Sequence, residues 1–212
     1  MLWNDHSRDI KKGDHAFLGA SKHSWLNYDE EQLEIAWKRQ YATLKGTVLH
    51  ELASSLIDNK IKLLRKDTHL VLLYLLENGV PRSVIDLDTI MINLIPYVED
   101  GIGYRMRTEQ VLYYSDNCFG TADAIIFDEK KSLLRIHDYK SGVTPVQITQ
   151  LIIYDALFCL EYDVKPGEIE HDLRIYQDGE IIGDQPTAPV ILETMDKIVR
   201  FDRMIDSFKE AI

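Results

Sequence analysis

Residues 119–140 read FGTADAIIFDEKKSLLRIHDYK and contain two short apolar runs on either side of a charged tetrad. The runs 119–127 and 133–140 are rich in β-branched, aromatic and other apolar residues, which favours β-strands. The polar residues 128–131 between them are typical of a hairpin tip. The stretch therefore predicts two neighbouring antiparallel strands, around which the rest of the fold is arranged.

Each predicted strand carries an acid near the same end of this hairpin. Asp123 interrupts the first apolar run, and Asp138 and Lys140 stand two residues apart where the second run ends. Positions two apart on a strand point to the same face, and counting back from the hairpin tip brings Asp123 level with residues around Asp138, near the same end. Two carboxylates beside a lysine predict a site for Mg²⁺ or Mn²⁺. In such a site Lys140 would orient an attacking water and stabilise developing negative charge.

The pattern of an acid two residues before a lysine is weak when taken alone. It occurs six times in this chain, whereas composition predicts about two occurrences. Only Asp138-Tyr139-Lys140 ends a run of strand character. The residues by themselves therefore leave an alternative open, in which Asp123 faces solvent and Asp138 and Lys140 form an ordinary ion pair at the rim of the sheet.

The remaining sequence predicts a single α+β domain over residues 1–212. Four helices are expected in the first hundred residues: one opened by Asp29, one over 47–60, one after Asp67-Thr68 and one capped by Ser83. Three strands follow from Tyr104. We then expect a helix over 147–162, a short hairpin over 173–182 and a terminal helix from about Pro189. These elements divide into a helical lobe (1–100), a core (101–185) and a C-terminal helix (187–212).

Composition excludes several classes of protein. The chain has 212 residues, of which 45% are apolar and 28% charged, and 24 basic residues against 35 acidic ones give a net charge of −11. A negative net charge excludes general attraction to nucleic acid or anionic membranes, so any DNA contact must use local basic patches. No apolar run approaches the roughly 20 residues of a membrane span, and no signal peptide is evident. We expect a soluble, cytoplasmic protein.

Five segments of the chain, taken in order, carry a resemblance to a known family. The sequences GTVLHE at 46–51, GTAD at 120–123, DYK at 138–140 and QLIIY at 150–154 resemble the motifs of RecB-like nucleases. These enzymes belong to the PD-(D/E)xK superfamily. The segment LGASKHSWLNY at 18–28 resembles the opening segment of phage and CRISPR-associated members.

This resemblance, which extends from about residue 18 to about residue 176, implies a fold and an activity. The implied fold is restriction-endonuclease-like, with a central mixed sheet flanked by helices and a helical N-terminal lobe over the site. The implied activity is Mg²⁺- or Mn²⁺-dependent hydrolysis of DNA phosphodiester bonds. Since nothing here resembles a P-loop, the resemblance favours a stand-alone exonuclease that acts on DNA ends in recombination or repair.

The resemblance also implies a set of metal ligands. Asp123 and Asp138 would hold the metal, with the main-chain carbonyl of Tyr139 as a further ligand, and Lys140 would be the catalytic lysine. His50 matches the family's helical histidine, a ligand that reaches in from the helical lobe. From the residues alone, His50 would instead be an ordinary histidine on the polar face of its helix.

Further residues receive roles from the same resemblance. Gln150 and Tyr154 match the QxxxY motif beside the scissile phosphate, although their spacing alone equally fits a surface residue and a packed aromatic. Glu109 matches an acidic position that assists a second metal. Ser21, Lys22 and Trp25 lie in the family's opening segment, so we expect them to contact DNA.

The implied partners are DNA ends, duplex or single-stranded, and a single-strand annealing or recombination protein in a bacterial or phage-infected cell. A homo-oligomer remains open. No iron–sulfur cluster is expected, because Cys118 and Cys159 cannot supply the four thiolates that such a cluster normally needs. Three other functions are consistent with the sequence: a flap- or structure-specific endonuclease of the same fold, a catalytically silent DNA-binding subunit, and a hydrolase of small phosphorylated molecules.

Overall fold

A computed structural model describes residues 16–142 and 147–210 of the chain. Within these residues the helices are α1 (Glu30–Gln40), α2 (Ala42–Asp58), α3 (Thr68–Glu77), α4 (Leu87–Tyr104), α5 (Thr149–Glu161) and α6 (Ala188–Glu210). The strands are β1 (Arg107–Ser115), β2 (Cys118–Asp128), β3 (Leu133–Tyr139), β4 (Glu170–Gln177) and β5 (Glu180–Asp184). The last two residues of the C-terminal helix predicted over 187–212 lie outside the described residues.

The five strands form one mixed sheet in the order β1-β2-β3-β4-β5. β2 and β3 pair antiparallel, with Ala124 opposite His137 and Phe127 opposite Leu134, which confirms the predicted hairpin. β3 and β4 are parallel and are connected through α5, whereas the other neighbouring pairs are antiparallel. The prediction of an α+β fold with a central mixed sheet flanked by helices is therefore confirmed.

Helices cover both faces of this sheet. On one face, α2, α3 and α4 pack on Ala124, Tyr139 and Tyr176 to form the first core. On the other face, α5 and the first half of α6 pack on residues that include Leu112 and Ile136 to form the second core. The site residues on α2 and on α5 thus approach the β2–β3 hairpin from opposite sides of the sheet.

Two predicted boundaries in the helical lobe are wrong. Ser83 does not cap the fourth helix but lies in a short 3₁₀ turn, and the cap is Asp86, whose carboxylate accepts a hydrogen bond from the N–H of Thr89 (3.2 Å). α4 also continues to Tyr104, past the glycine-containing segment at 101–103 where we expected the helical lobe to end. β1 consequently begins at Arg107 rather than at Tyr104.

The continuation of α4 has a packing reason. A Cβ atom at Gly101 would lie 2.5 Å from Cδ1 of Ile57, which is closer than real side chains approach. Glycine at this position therefore lets α4 lie directly against α2, the helix that carries His50. Two contacts fix the position of α2 relative to the sheet: its close packing on α4, and the burial of its apolar face, which includes Leu49 and Ala53.

A buried histidine–aspartate pair fastens α5 to β4. Nδ1 of His171 lies 2.7 Å from Oδ2 of Asp155, and Nε2 lies 3.1 Å from the carbonyl oxygen of Pro166. Since a carbonyl can only accept, Nε2 must carry a proton. Burial acts to lower the pKa of His171, but the hydrogen bond to Asp155 and its charge outweigh burial, and the pKa is raised above 6.5.

Among the described residues, no helix is long and apolar enough to cross a membrane.

The raised pKa of His171 predicts how the stability of the fold depends on pH. Because the folded state keeps the proton at pH values where the unfolded state loses it, the pair contributes fully below pH 6.5, and this contribution disappears as pH rises through the folded pKa. Asp155→Asn should lower the free energy of unfolding by about 3 kcal/mol below pH 6.5 and by less at pH 8.5. Urea denaturation of both proteins across this range measures the difference, and a deficit that does not change with pH contradicts the prediction.

Candidate metal and catalytic site

An open cleft of about 860 Å³ lies between α2 and the ends of β2 and β3. Residues 46–58 of α2, together with its C-cap Asn59, form one wall, and β1, the β2–β3 hairpin and α5 supply the rest. Six of the residues predicted from the sequence line it, namely His50, Glu109, Asp123, Asp138, Lys140 and Gln150. The structure therefore brings together, in one cavity, side chains that come from five different elements or their ends.

The two hairpin acids lie side by side, as the strand pattern predicts. Continuing the register from the pair Ala124–His137 places Asp123 opposite Asp138. The carboxylate of Asp123 accepts a hydrogen bond from the backbone N–H of Tyr139 at 3.3 Å. The side chain of Asp123 is 17% exposed and that of Asp138 only 3%, so Asp123 does not simply face solvent. The ion pair of Asp138 with Lys140 is present, but its acid is buried rather than at an exposed rim.

Lys140 neutralises part of this negative charge and links it to α5. Its Nζ donates a hydrogen bond to Oδ1 of Asp138 (3.0 Å) and lies 2.9 Å from Oδ2, confirming that the two side chains share a face. The same Nζ lies 3.2 Å from Oε1 of Gln150, and Nε2 of Gln150 donates to Oη of Tyr154 at 3.1 Å. A continuous chain of hydrogen bonds thus runs from Asp138 through Lys140 and Gln150 to Tyr154.

A second group of side chains has the composition of a metal site. One ligand atom from each of His50, Glu109 and Asp123 lies within 4.8 Å of the others. Nδ1 of His50 is 3.1 Å from Oδ2 of Asp123, and the His50 ring meets the buried ring of Tyr139 edge-on at 5.7 Å. Asp138 does not belong to this group in the structure, because its carboxylate is turned to Lys140. Its role as a metal ligand stays a prediction, as does that of the Tyr139 carbonyl.

Glu109 reaches this group because, at this point of β1 and β2, the side of the sheet to which alternate side chains point changes. Ala122 packs in the core under α5, yet Ala124, two residues later, packs in the core under α2. On β1, Leu112 likewise faces α5, whereas the hydroxyl of Thr108 bonds to α2. Regular alternation would keep residues two or four apart on one face.

The change occurs at a strained residue. Glu109 has φ +50°, a left-handed conformation that is uncommon for residues other than glycine. The register places it opposite Asp123, between the pairs Thr108–Ala124 and Gln110–Ala122. Such strain persists only where the surrounding structure enforces it, and it concentrates at functional sites. Here it places an acid beside His50 and Asp123.

Burial and mutual repulsion shift the pKa values of the hairpin acids. Burial, followed by the charge of Asp123, raises the pKa of Asp138 to about 7. Burial also acts to raise the pKa of Asp123, but the hydrogen bond and charge of His50 outweigh it and lower that pKa. Burial acts to lower the pKa of His50, and the same contact with Asp123 outweighs it and raises the pKa. Two adjacent carboxylates repel each other when both are ionised, and a bound cation reduces this repulsion.

The residues present therefore fit a divalent cation. Oxygen and imidazole donors from three elements converge, and the buried Oδ2 of Asp138 receives no hydrogen bond of good geometry within the described part of the chain. Among residues 16–142 and 147–210, five carboxylates line the cleft, those of Glu51, Asp58, Glu109, Asp123 and Asp138, against one amine, that of Lys140. Hard, oxygen-preferring ions such as Mg²⁺ and Mn²⁺ suit this donor set.

No protein-family model, curated protein or solved structure matches this chain. The predicted resemblance to RecB-like nucleases rests on short segments that include His50, Asp123 and Lys140, and it stays a prediction. Function is therefore inferred from the geometry of the site.

The predicted DNA-binding residues are not part of this cleft. Lys22 is exposed on the 3₁₀ segment Ala20–Asn27, and the indole N–H of Trp25 is turned inward, where it donates to the carbonyl of Gly19 at 3.1 Å. Neither residue lines the cavity. The side chain of Ser21 lies outside the described part of the structure.

The sequence analysis did not predict that the C-terminal part of α2 also lines the cleft. Ser54, Ser55, Asp58 and Asn59 line the cleft, and Oγ of Ser54 donates to Oγ1 of Thr108, which in turn donates to Asp58, both at 2.8 Å. The signal was available, because these residues continue from His50 at helical spacing, opposite the apolar stripe of α2.

The geometry predicts which cleft acids bind the metal. Glu109→Gln should weaken Mn²⁺ binding at least about tenfold, because it removes an anionic ligand from the three-residue group. Glu51→Gln is the matched control, since Glu51 lines the same cleft but does not belong to the group. Titration calorimetry with Mn²⁺ measures both affinities, and equal losses in the two variants would mean that Glu109 acts only through its charge.

Proton release gives a second prediction for the same site. With a pKa of about 7, Asp138 in the metal-free protein is mostly protonated at pH 6 and mostly ionised at pH 8.5. A cation that binds beside it displaces this proton, and His50, whose pKa is raised above 6.5, must also lose a proton to bind the ion. Mn²⁺ binding should therefore release more protons at pH 6 than at pH 8.5. Calorimetry in two buffers of different ionisation enthalpy counts the protons, and equal release at both pH values would contradict the assignment.

Proposed function

We propose that this chain is a metal-dependent deoxyribonuclease of the RecB-like PD-(D/E)xK type, and that it acts as an exonuclease on DNA ends. One observation carries the proposal: Asp123, Asp138 and Lys140 meet at one end of an antiparallel hairpin and share a cleft with His50 and Gln150. A lysine paired with one of two adjacent carboxylates supplies the charge arrangement that metal-assisted phosphodiester hydrolysis uses. The preference for DNA ends comes from the sequence resemblance.

The side chains have separate roles in the proposed reaction. A divalent ion, when bound by His50, Glu109 and Asp123, supplies a Lewis acid for the scissile phosphate and lowers the pKa of a water. Lys140 orients the attacking water and places positive charge where the phosphorane oxygens gain negative charge. Asp138 holds the amine of Lys140 from one side, and Gln150 holds it from the other.

The shape of the cleft supports a polymeric substrate, and its charge makes cations necessary for such a substrate to bind. The cleft is open along the wall of α2 rather than closed around a small molecule, so a strand can enter and leave lengthwise. Its five carboxylates repel phosphates, and one lysine does not offset them. We therefore infer that cations are required for DNA to bind as well as for cleavage, and that binding weakens steeply with salt.

The test is degradation of end-labelled linear duplex and of a covalently closed circle, with Mg²⁺ or Mn²⁺ and with EDTA. The linear DNA should be degraded only with metal, and Lys140→Ala should lower the rate on the order of 10²- to 10³-fold. Lys130→Ala is the matched control, because Lys130 belongs to the same acid-x-lysine pattern but lies exposed at the hairpin tip.

Each other outcome selects a different function. Nicking of the circle would identify a structure-specific endonuclease, and activity that survives Lys140→Ala would show that the site is wrong. DNA binding without cleavage in either metal would identify a catalytically silent binding subunit. The labelled end reports the polarity of an exonuclease.

A further inference from the structure

Gly120 lies on β2 three residues before Asp123, and its missing side chain leaves a space that Tyr154 fills. A Cβ atom at Gly120 would lie 2.7 Å from Cε1 of the Tyr154 ring, with Cδ1 at 3.6 Å and Cζ at 3.7 Å. Real Cβ atoms do not approach another atom so closely, so the ring occupies the place of a side chain. The phenol of Tyr154 thereby lies directly on the backbone of β2.

The backbone at Gly120 gives no other reason for a glycine. Its φ lies outside the left-handed region, so any residue could adopt it. Gly120 pairs with Leu112 in regular register, and glycine within a strand costs stability relative to alanine. Contact with Tyr154 is therefore the structural requirement that only glycine meets at this position.

This contact is the far end of the hydrogen-bond chain that holds Lys140. Oη of Tyr154 accepts a hydrogen bond from Gln150 (3.1 Å), and the amide oxygen of Gln150 lies 3.2 Å from Nζ of Lys140. The ring on Gly120 sets the height of the phenol above the sheet. That height determines whether Gln150 can bridge the phenol and the amine of Lys140.

We propose that Gly120 is a positioning residue for Lys140, acting through Tyr154 and Gln150; the inference rests on the proposed nuclease function. Gly120 does not touch substrate or metal. It sets the position of Lys140 from the face of β2 opposite α2, where neither His50 nor Glu109 makes contact with it.

An added methyl group at Gly120 would move the ring rather than the strand. At Gly120 β2 is paired with β1, through Leu112 and the pairs on either side of it, and cannot shift there without disturbing this ladder. Its pairing with β3 begins only at Ala124. Tyr154 is only half-buried and turns about two side-chain torsions, so its ring can swing outward. Its hydroxyl then leaves Gln150, and Gln150 loses the partner that orients its amide toward Lys140.

The experiment is a double-mutant cycle with Gly120→Ala, Tyr154→Ala and the combination of the two. Gly103→Ala is the control glycine substitution, because a Cβ at Gly103 meets nothing within 4 Å. For each protein, kcat and KM on linear duplex, the affinity and stoichiometry for Mn²⁺, and the urea midpoint of unfolding are measured.

Gly120→Ala should lower kcat on the order of 10- to 100-fold, the scale of a misplacement of about 1 Å at a catalytic group. KM and Mn²⁺ affinity should change less than about twofold, because a positioning residue contributes to neither. In the Tyr154→Ala background, Gly120→Ala should not lower kcat further. There it should not lower the urea midpoint either and should raise it slightly, because alanine costs a strand less than glycine. Gly103→Ala should match wild type in kcat.

Three results would overturn the inference. One is an unchanged kcat in Gly120→Ala. Another is an equal loss of kcat with Tyr154 present and absent. The third is a fall in Mn²⁺ stoichiometry that parallels the loss of activity, which would show that part of the protein has unfolded. Absence of cleavage by wild type would refute the proposed nuclease function instead, and the urea midpoints would still decide whether Gly120 and Tyr154 are coupled.

Discussion

Two carboxylates held side by side, one buried and the other partly buried, are the constraint on which the rest of this structure depends. Asp123 and Asp138 lie on paired strands, and neither burial nor mutual repulsion favours their charged forms. Such a pair persists only if other groups supply positive charge or protons. The surrounding elements can be understood by what each one brings to this pair.

Each neighbouring element contributes one compensating group. α2 brings His50 to Asp123, the end of β3 brings Lys140 to Asp138, and α5 brings Gln150 to Lys140. The two cores on either side of the sheet hold these helices in place, and the buried pair of Asp155 and His171 fastens α5 directly to β4. Packing contacts outside the cleft thus fix the positions of the side chains that line it.

The carboxylates of the cleft that no basic group among the described residues neutralises are best explained as ligands and neighbours of a bound cation. Glu109 adds a further acid beside His50 and Asp123 at the cost of a strained backbone conformation, which a purely structural role would not require. An acidic protein with an acidic cleft meets a polyanion only through such ions. The net charge of −11 and the proposed DNA substrate are therefore compatible.

The sequence by itself determined the β2–β3 hairpin and the shared face of Asp138 and Lys140, because strand alternation and turn chemistry are local properties of neighbouring residues. It also predicted most helices, but it assigned the cap of the fourth helix to Ser83 instead of Asp86, since both residue types serve well at such a position. Only the tertiary structure decided that His50, Glu109 and Gln150 meet at the hairpin, and that Asp138 turns to Lys140 rather than joining the histidine group. These contacts depend on how helices pack across a sheet and on a change of face at Glu109, and neither is encoded in the spacing of residues along the chain.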